Sequence, residues 1–127
     1  MIAMIFEYWF DPAKPEVYDE YLREAAELRS HLADVAGFRG VERFQSCVDP
    51  SKFMAVGFFD DEGAVADWRN RSEHRRVQAL GRGRFFTDYR LRMAEVTRDY
   101  GPNDREQAPA DSRRAHDPAA KGSMRDG

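Results

Sequence analysis

A chain of 127 residues has room for one domain, since a body of roughly 100 residues buries about two-thirds of the surface its unfolded chain exposes. Hydrophobic residues make up 42% and charged residues 34%, which excludes a disordered chain and, with no long apolar run, a helix that spans a membrane. The net charge of −3 argues against a nucleic-acid binder, and the single cysteine, Cys47, excludes an internal disulfide and any cysteine-cluster metal site.

The charge is unevenly placed. Residues 7–34 hold eight acidic and three basic side chains, whereas residues 69–92 hold eight arginines against Glu73 and Asp88. Such segregation fits complementary faces that dock helices or subunits, or an electropositive mouth that draws in an anion. The first residues lack a basic leader and a cleavage site, so the expected location is the cytoplasm.

In chain order, residues 2–10 are apolar, aromatic and partly β-branched until Asp11 and Pro12 stop them, which predicts a strand. From Pro15 to Val35 apolar side chains recur at three and four, through Tyr18, Tyr21, Ala25, Leu28 and Leu32, which predicts an amphipathic helix closed by Gly37. Residues 38–48 set Val41, Arg43 and Gln45 against Glu42, Phe44 and Ser46, a half-buried strand with Cys47 near its end. A more apolar run over 53–59 follows a short polar connection, so the two form a hairpin. Asp60, Asp61 and Glu62 start a helix that buries Ala64, Val65 and Trp68 and is interrupted at 70–72. Ser72 is then the expected cap of a second short helix running to Gly81 and Gly83, and residues 89–96 form the last strand.

This order is the ferredoxin-like βαββαβ arrangement, an α+β fold with a four-stranded antiparallel sheet and its helices on one face. The other face is left uncovered, which predicts a homodimer. Beyond residue 100 the aromatics stop and alanine, proline and balanced charges take over. The domain is therefore expected over 1–100 and a flexible C-terminal tail over 101–127.

Among groups that carry chemistry, His74 falls in the first turn of the second short helix, where the positive end of the dipole favours a neutral imidazole. A neutral ring can accept a proton or ligate iron, or it simply packs at the helix start. Trp68, six residues earlier, would lie about 120° away on an unbroken helix, so the interruption at 70–72 is what can bring both toward one pocket. Glu7, Glu42 and Glu95 lie in predicted strands, where an inward carboxylate would act as acid or base, and Tyr89 offers a phenol. No phosphate loop, dinucleotide fingerprint, serine triad or zinc spacing is present.

The stretches 37–44 (GFRGVERF), 66–70 (ADWRN), Glu73 to Arg75, and 88–92 (DYRLR) on to Tyr100 resemble the antibiotic biosynthesis monooxygenase family. The resemblance covers residues 1–100 and implies a dimeric α+β barrel with a pocket between sheet and helices in each subunit. It implies one of two chemistries: quinone-forming monooxygenation without metal or flavin, the substrate itself activating oxygen, or haem degradation. The haem branch pairs a first-strand Asn with a Trp and a ligating His. Here Glu7 stands where that Asn would be, and the Trp68 to His74 spacing is shorter.

The reading that results is a cofactor-independent monooxygenase acting with O2 on a small phenolic or quinol-like aromatic. His74, Trp68 and Glu7 are its candidate catalytic residues; Arg69, Asn70, Arg75 and Tyr89 are its candidate substrate contacts, and no metal is expected. The alternatives are a haem-binding or haem-degrading monooxygenase, with His74 as axial ligand, and a non-catalytic dimer that binds a small ligand. Neither nucleic acid nor membrane is an expected partner.

Overall fold

The computed structural model describes residues 1–117, the side chains of Ser72 and Glu73 excepted. Strand β1 (Ile2–Trp9) leads into helix α1 (Pro15–Leu32), and β2 (Phe38–Gln45) and β3 (Lys52–Phe59) form a hairpin. Two short helices, α2 (Glu62–Asn70) and α3 (Ser72–Leu80), run into a π-helical turn (Gly81–Phe85) and then β4 (Asp88–Glu95). The strands lie in the order β2-β3-β1-β4, every pair antiparallel, which is the ferredoxin-like sheet.

Strand parity decides what faces the helices. In β1 the even positions do so: Ile2, Met4 and Tyr8 are buried, and in register beside them β3 contributes Phe59, Gly57 and Phe53. Tyr8, Phe10, Tyr21 and Phe53 form an aromatic cluster under α1, with Tyr8 to Tyr21 ring centroids 5.3 Å apart. A second cluster joins Leu28, Leu32 and Val35 to Val77 and fixes α3 against α1. The odd β1 positions face the other way, together with Met54, Val56, Phe58 and Phe44, away from the helices α1–α3 of the same unit.

The segregated charge acts within this unit. Glu20 and Glu24 of α1 pair with Arg84 and Arg76 at 2.8 Å and 2.7 Å, and Asp34 lies 3.6 Å from Arg71. Exposed pairs of this kind contribute about 0–1 kcal/mol each, so they orient the helices more than they hold them; the apolar cluster does the holding.

Several local expectations are corrected. Helix α1 ends at Ala33, not at Gly37. Gly37 instead starts the way into β2 with φ +82°, and a Cβ there would come within 2.9 Å of Ala64 Cβ, so both conformation and space require glycine. The cap of α3 is Arg71, in an extended conformation, and Ser72 is the first helical residue. Cys47 is exposed and lies in the β2–β3 connection, because β2 pairing stops at Gln45.

Residues 96 onward form a separate unit. Within the stretch expected as a flexible tail lies a short helix, α4 (Ala110–His116). Polar bonds take the place of a core there. Arg105 donates to Asp117 Oδ1 at 2.9 Å, to Ser112 Oγ at 3.1 Å and to the Gly101 carbonyl at 3.3 Å, and its guanidinium lies over the Tyr100 ring. Residues 118–127 of that tail lie outside the described residues. Among the described residues no helix is long and apolar enough to cross a membrane.

Candidate active site

Between the sheet and the helices lies a cavity of about 290 Å³, near the lower end of the size range of small-molecule pockets. Met4 and Phe6 of β1 and Leu91 and Met93 of β4 form part of its floor, and these four are direct cross-strand neighbours. The helix layer supplies the wall through Trp68, His74 and Val77.

Trp68 and His74 meet because the helix breaks between them. At the end of α2 the Asn70 side chain donates to the Ala66 carbonyl at 2.8 Å, and Arg71 turns extended with ψ 138° before α3 begins. That turn replaces the 120° separation of a continuous helix with direct contact: the two ring centroids are 3.9 Å apart. Trp68 is seated in turn against Phe59, at 5.2 Å. Its Nε1 is buried with no hydrogen-bond partner among the described residues. An unmade bond of this kind costs about 1–3 kcal/mol, so the indole is held there by packing.

His74 is 8% exposed. Its Nδ1 lies 3.4 Å from the Arg69 carbonyl, and a proton on Nδ1 donates there, which leaves the Nε2 lone pair as acceptor. Burial pushes the imidazole below its ordinary value, and the nearby Arg75 pushes the same way, against the Arg69 carbonyl. The folded ring is therefore neutral at neutral pH.

This has a measurable consequence. As pH falls below the ordinary value of 6.5, His74 of the unfolded chain takes up a proton that the folded ring resists, so stability drops until the lower folded value is passed. Above that window the group contributes no slope. Urea midpoints measured from pH 7.5 down to 5 are expected to fall more steeply for the wild type than for His74→Gln, and parallel curves would contradict the buried neutral ring.

Of the other candidates, Arg69, Arg75 and Tyr89 line the cavity. Tyr89 is 41% exposed, with its ring 5.9 Å from Phe6. Asn70 is not among the lining residues; its side-chain oxygen accepts from Arg75 at 2.6 Å, so it positions that arginine. Glu7 is corrected. Odd parity puts it on the opposite sheet face, bonded to Lys52 at 3.0 Å and to Arg92. The Lys52 ammonium, with Arg92 beside it, holds its carboxyl below the usual range, which makes it a cross-strand ion pair and no base for this cavity. Glu42 and Glu95 are exposed and do not line the cavity either.

Sequence reasoning missed Arg43 and Tyr21. Arg43 Nε donates to Tyr21 Oη at 3.3 Å inside the cavity, and Tyr8 beside them is fully buried, its phenol pushed far up by burial so that it stays protonated. The signal was present in β2, where Val41 and Arg43 share a face.

The residues do not fit a haem. A haem needs a wide flat slot over its axial ligand, whereas the cavity beside His74 measures about 290 Å³. Among the described residues no group of three or more His, Cys, Asp or Glu side chains could hold a metal ion.

Fold and cavity together define a ferredoxin-like α+β protein with a small apolar site between its layers. The model of the family described as antibiotic biosynthesis monooxygenase matches residues 1–80. A jasmonate monooxygenase of Pyricularia oryzae is 32% identical over 98% of this chain, and the match spans 57% of that relative's length. The uncharacterized protein YqjZ of Bacillus subtilis is 30% identical over 70% of this chain and 76% of its own. Among solved structures, SnoaB, a cofactor-independent oxygenase from Streptomyces nogalater, superposes with a TM-score of 0.64 at 10% identity, covering 77% of this chain and 94% of SnoaB. Rv0793 from Mycobacterium tuberculosis gives 0.67 at 12% identity, covering 79% and 98%. The chain belongs to the antibiotic biosynthesis monooxygenase family.

Proposed function

We propose that this chain is a monooxygenase that oxidises a small phenolic or quinol-like aromatic with O2 and no added cofactor, as a cytoplasmic homodimer. The observation that carries this is the ring contact between Trp68 and the neutral His74 in the wall of an apolar cavity. A flat substrate packs against the indole and the floor side chains, and His74 accepts the phenolic proton at Nε2. The phenolate is electron-rich enough to pass an electron to oxygen, and the apolar walls keep water from the intermediates.

The electron count favours this substrate class. A phenol plus O2 gives a quinone plus water: one oxygen atom enters the ring as a carbonyl, and the other leaves with the hydrogens of the ring C–H and the hydroxyl. Every electron comes from the substrate, so no reductant has to bind. The dimer reading is supported by the sheet face turned away from α1–α3, where Phe44 is 46% and Phe58 37% exposed.

The test is oxygen uptake by the purified protein with a panel of hydroquinones and naphthols. Uptake with a naphthol matched by quinone that carries one oxygen atom from labelled O2, with no added metal or flavin, is the expected result. A second reading, a jasmonate-like substrate, is favoured by the fungal relative. Hydroxylation of such a molecule consumes two further electrons, so it is assayed with a reductant present. Uptake only in that arm would replace the aromatic reading, and no uptake in either would favour a binding protein.

A further inference from the structure

Among the described residues five arginines line the cavity, Arg29, Arg43, Arg69, Arg75 and Arg82, and no Asp or Glu does. None of the five makes an ion pair with a carboxylate among the described residues; Arg75 is bonded to the neutral Gln78 and Asn70. Elsewhere in the same unit arginines find acids readily, as Arg76, Arg84 and Arg92 do. The cavity is therefore a place where, among the described residues, positive charge is gathered without a paired carboxylate.

The five are not equivalent. Arg29, Arg69, Arg75 and Arg82 come from the helix layer and are exposed, whereas Arg43 rises from β2 and is half-buried. Its Nε is spent on Tyr21 Oη at 3.3 Å, and its guanidinium lies 5.7 Å from the Tyr21 ring centre. Tyr21 is 4% exposed and packed against Tyr8 and Phe10, so this support is rigid. With Nε on Tyr21 and the Tyr8 hydroxyl also beside the guanidinium, Arg43 brings a fixed positive charge with hydrogen-bond donors to the cavity, which suits the anionic oxygens of a carboxylate.

We infer that Arg43, held by Tyr21, anchors a carboxylate on the molecule that fills this cavity, the apolar body of that molecule lying toward Trp68 and Met93. The exposed arginines attract the anion, and Arg43 fixes which end enters. This rests on the reading that the cavity is the substrate site, and it narrows the substrate to an aromatic acid.

The test is calorimetric titration at pH 7 with trans-cinnamate and 2-naphthoate beside their methyl esters, which keep the apolar body and lose the charge. The wild type is expected to bind each acid about tenfold or more tightly than its ester, in line with a charge-assisted bond. In Arg43→Gln the acids should fall to the level of the esters while the esters are unchanged, and Arg43→Lys should restore part of the preference. An Arg90→Gln control, on an exposed residue that does not line the cavity, is expected to change acid binding by less than about threefold at 0.15 M salt. No preference for either acid in the wild type, or a preference that survives Arg43→Gln, overturns the assignment. Because the experiment reads binding without turnover, its failure is separate from a failure of oxygen uptake with the quinol panel.

Discussion

His74→Ala is expected to lower oxygen uptake with a quinol substrate by about a hundredfold to ten-thousandfold, the usual contribution of a positioned general base. The energetics show why a base alone is not enough. Moving a proton from a phenol of pKa about 10 to an imidazole of about 6.5 costs close to 5 kcal/mol, and burial of His74 makes the imidazolium dearer still. Arg69 and Arg75 line the same cavity, and on the proposed reading their charge would offset that cost at the phenolate. The loss should fall on kcat and diminish with substrates of lower phenolic pKa, which ionise without help, and added imidazole should restore part of it. A variant that is folded by circular dichroism and turns over at the wild-type rate would remove His74 from the mechanism.

Phe59→Ala is expected to cost about 3–5 kcal/mol of folding stability, the range for emptying a buried phenylalanine site. Phe59 is fully enclosed and lies 5.5 Å from Phe38 and 5.2 Å from Trp68 between ring centroids. Against a total stability of about 5–15 kcal/mol, that loss brings the chain near unfolding, and it undercuts the seat of Trp68 as well. Phe58, one residue earlier and 37% exposed on the opposite face, is the matched control. In the separated subunit its alanine variant should lose far less in the same urea titration, and equal losses there would contradict the strand parity.

Much of the fold was legible because its elements repeat a period. The apolar spacing from Tyr18 to Leu32 predicts α1, the alternation at 41–46 predicts a half-covered strand, and the acids at 60–62 mark the start of α2, where Asp61 Oδ1 accepts from the Ala64 amide at 2.8 Å. What periodicity leaves open is which parity faces inward when both sets are partly apolar. In β1, Phe6 and Tyr8 alternate with Ile5 and Trp9, so Glu7 could not be assigned until the pairing with Lys52 and Arg92 fixed its side. The same uncertainty hid Arg43, although Val41 beside it already pointed to the helix side. Trp68 and His74 were findable because a break at Asn70 and Arg71 is a local signal; the arginine-rich segment drew attention to Arg69 and Arg75 and away from a lone arginine on another strand. The helix in residues 110–116 is built from polar bonds that no apolar pattern announces.

Trp68 also equips the molecule with an optical reporter. Only two tryptophans are present, and the other, Trp9, belongs to the opposite sheet face, where the Lys52 ammonium sits 5.1 Å from its ring centre. In a Trp9→Phe background all indole emission comes from one ring whose nearest aromatic neighbour is an imidazole. A protonated imidazole quenches indole strongly and a neutral one weakly, so the emission intensity follows the charge state of His74 in real time. A stopped-flow trace of that signal after mixing with substrate would separate proton transfer from the later reaction with oxygen, without any label attached to the chain.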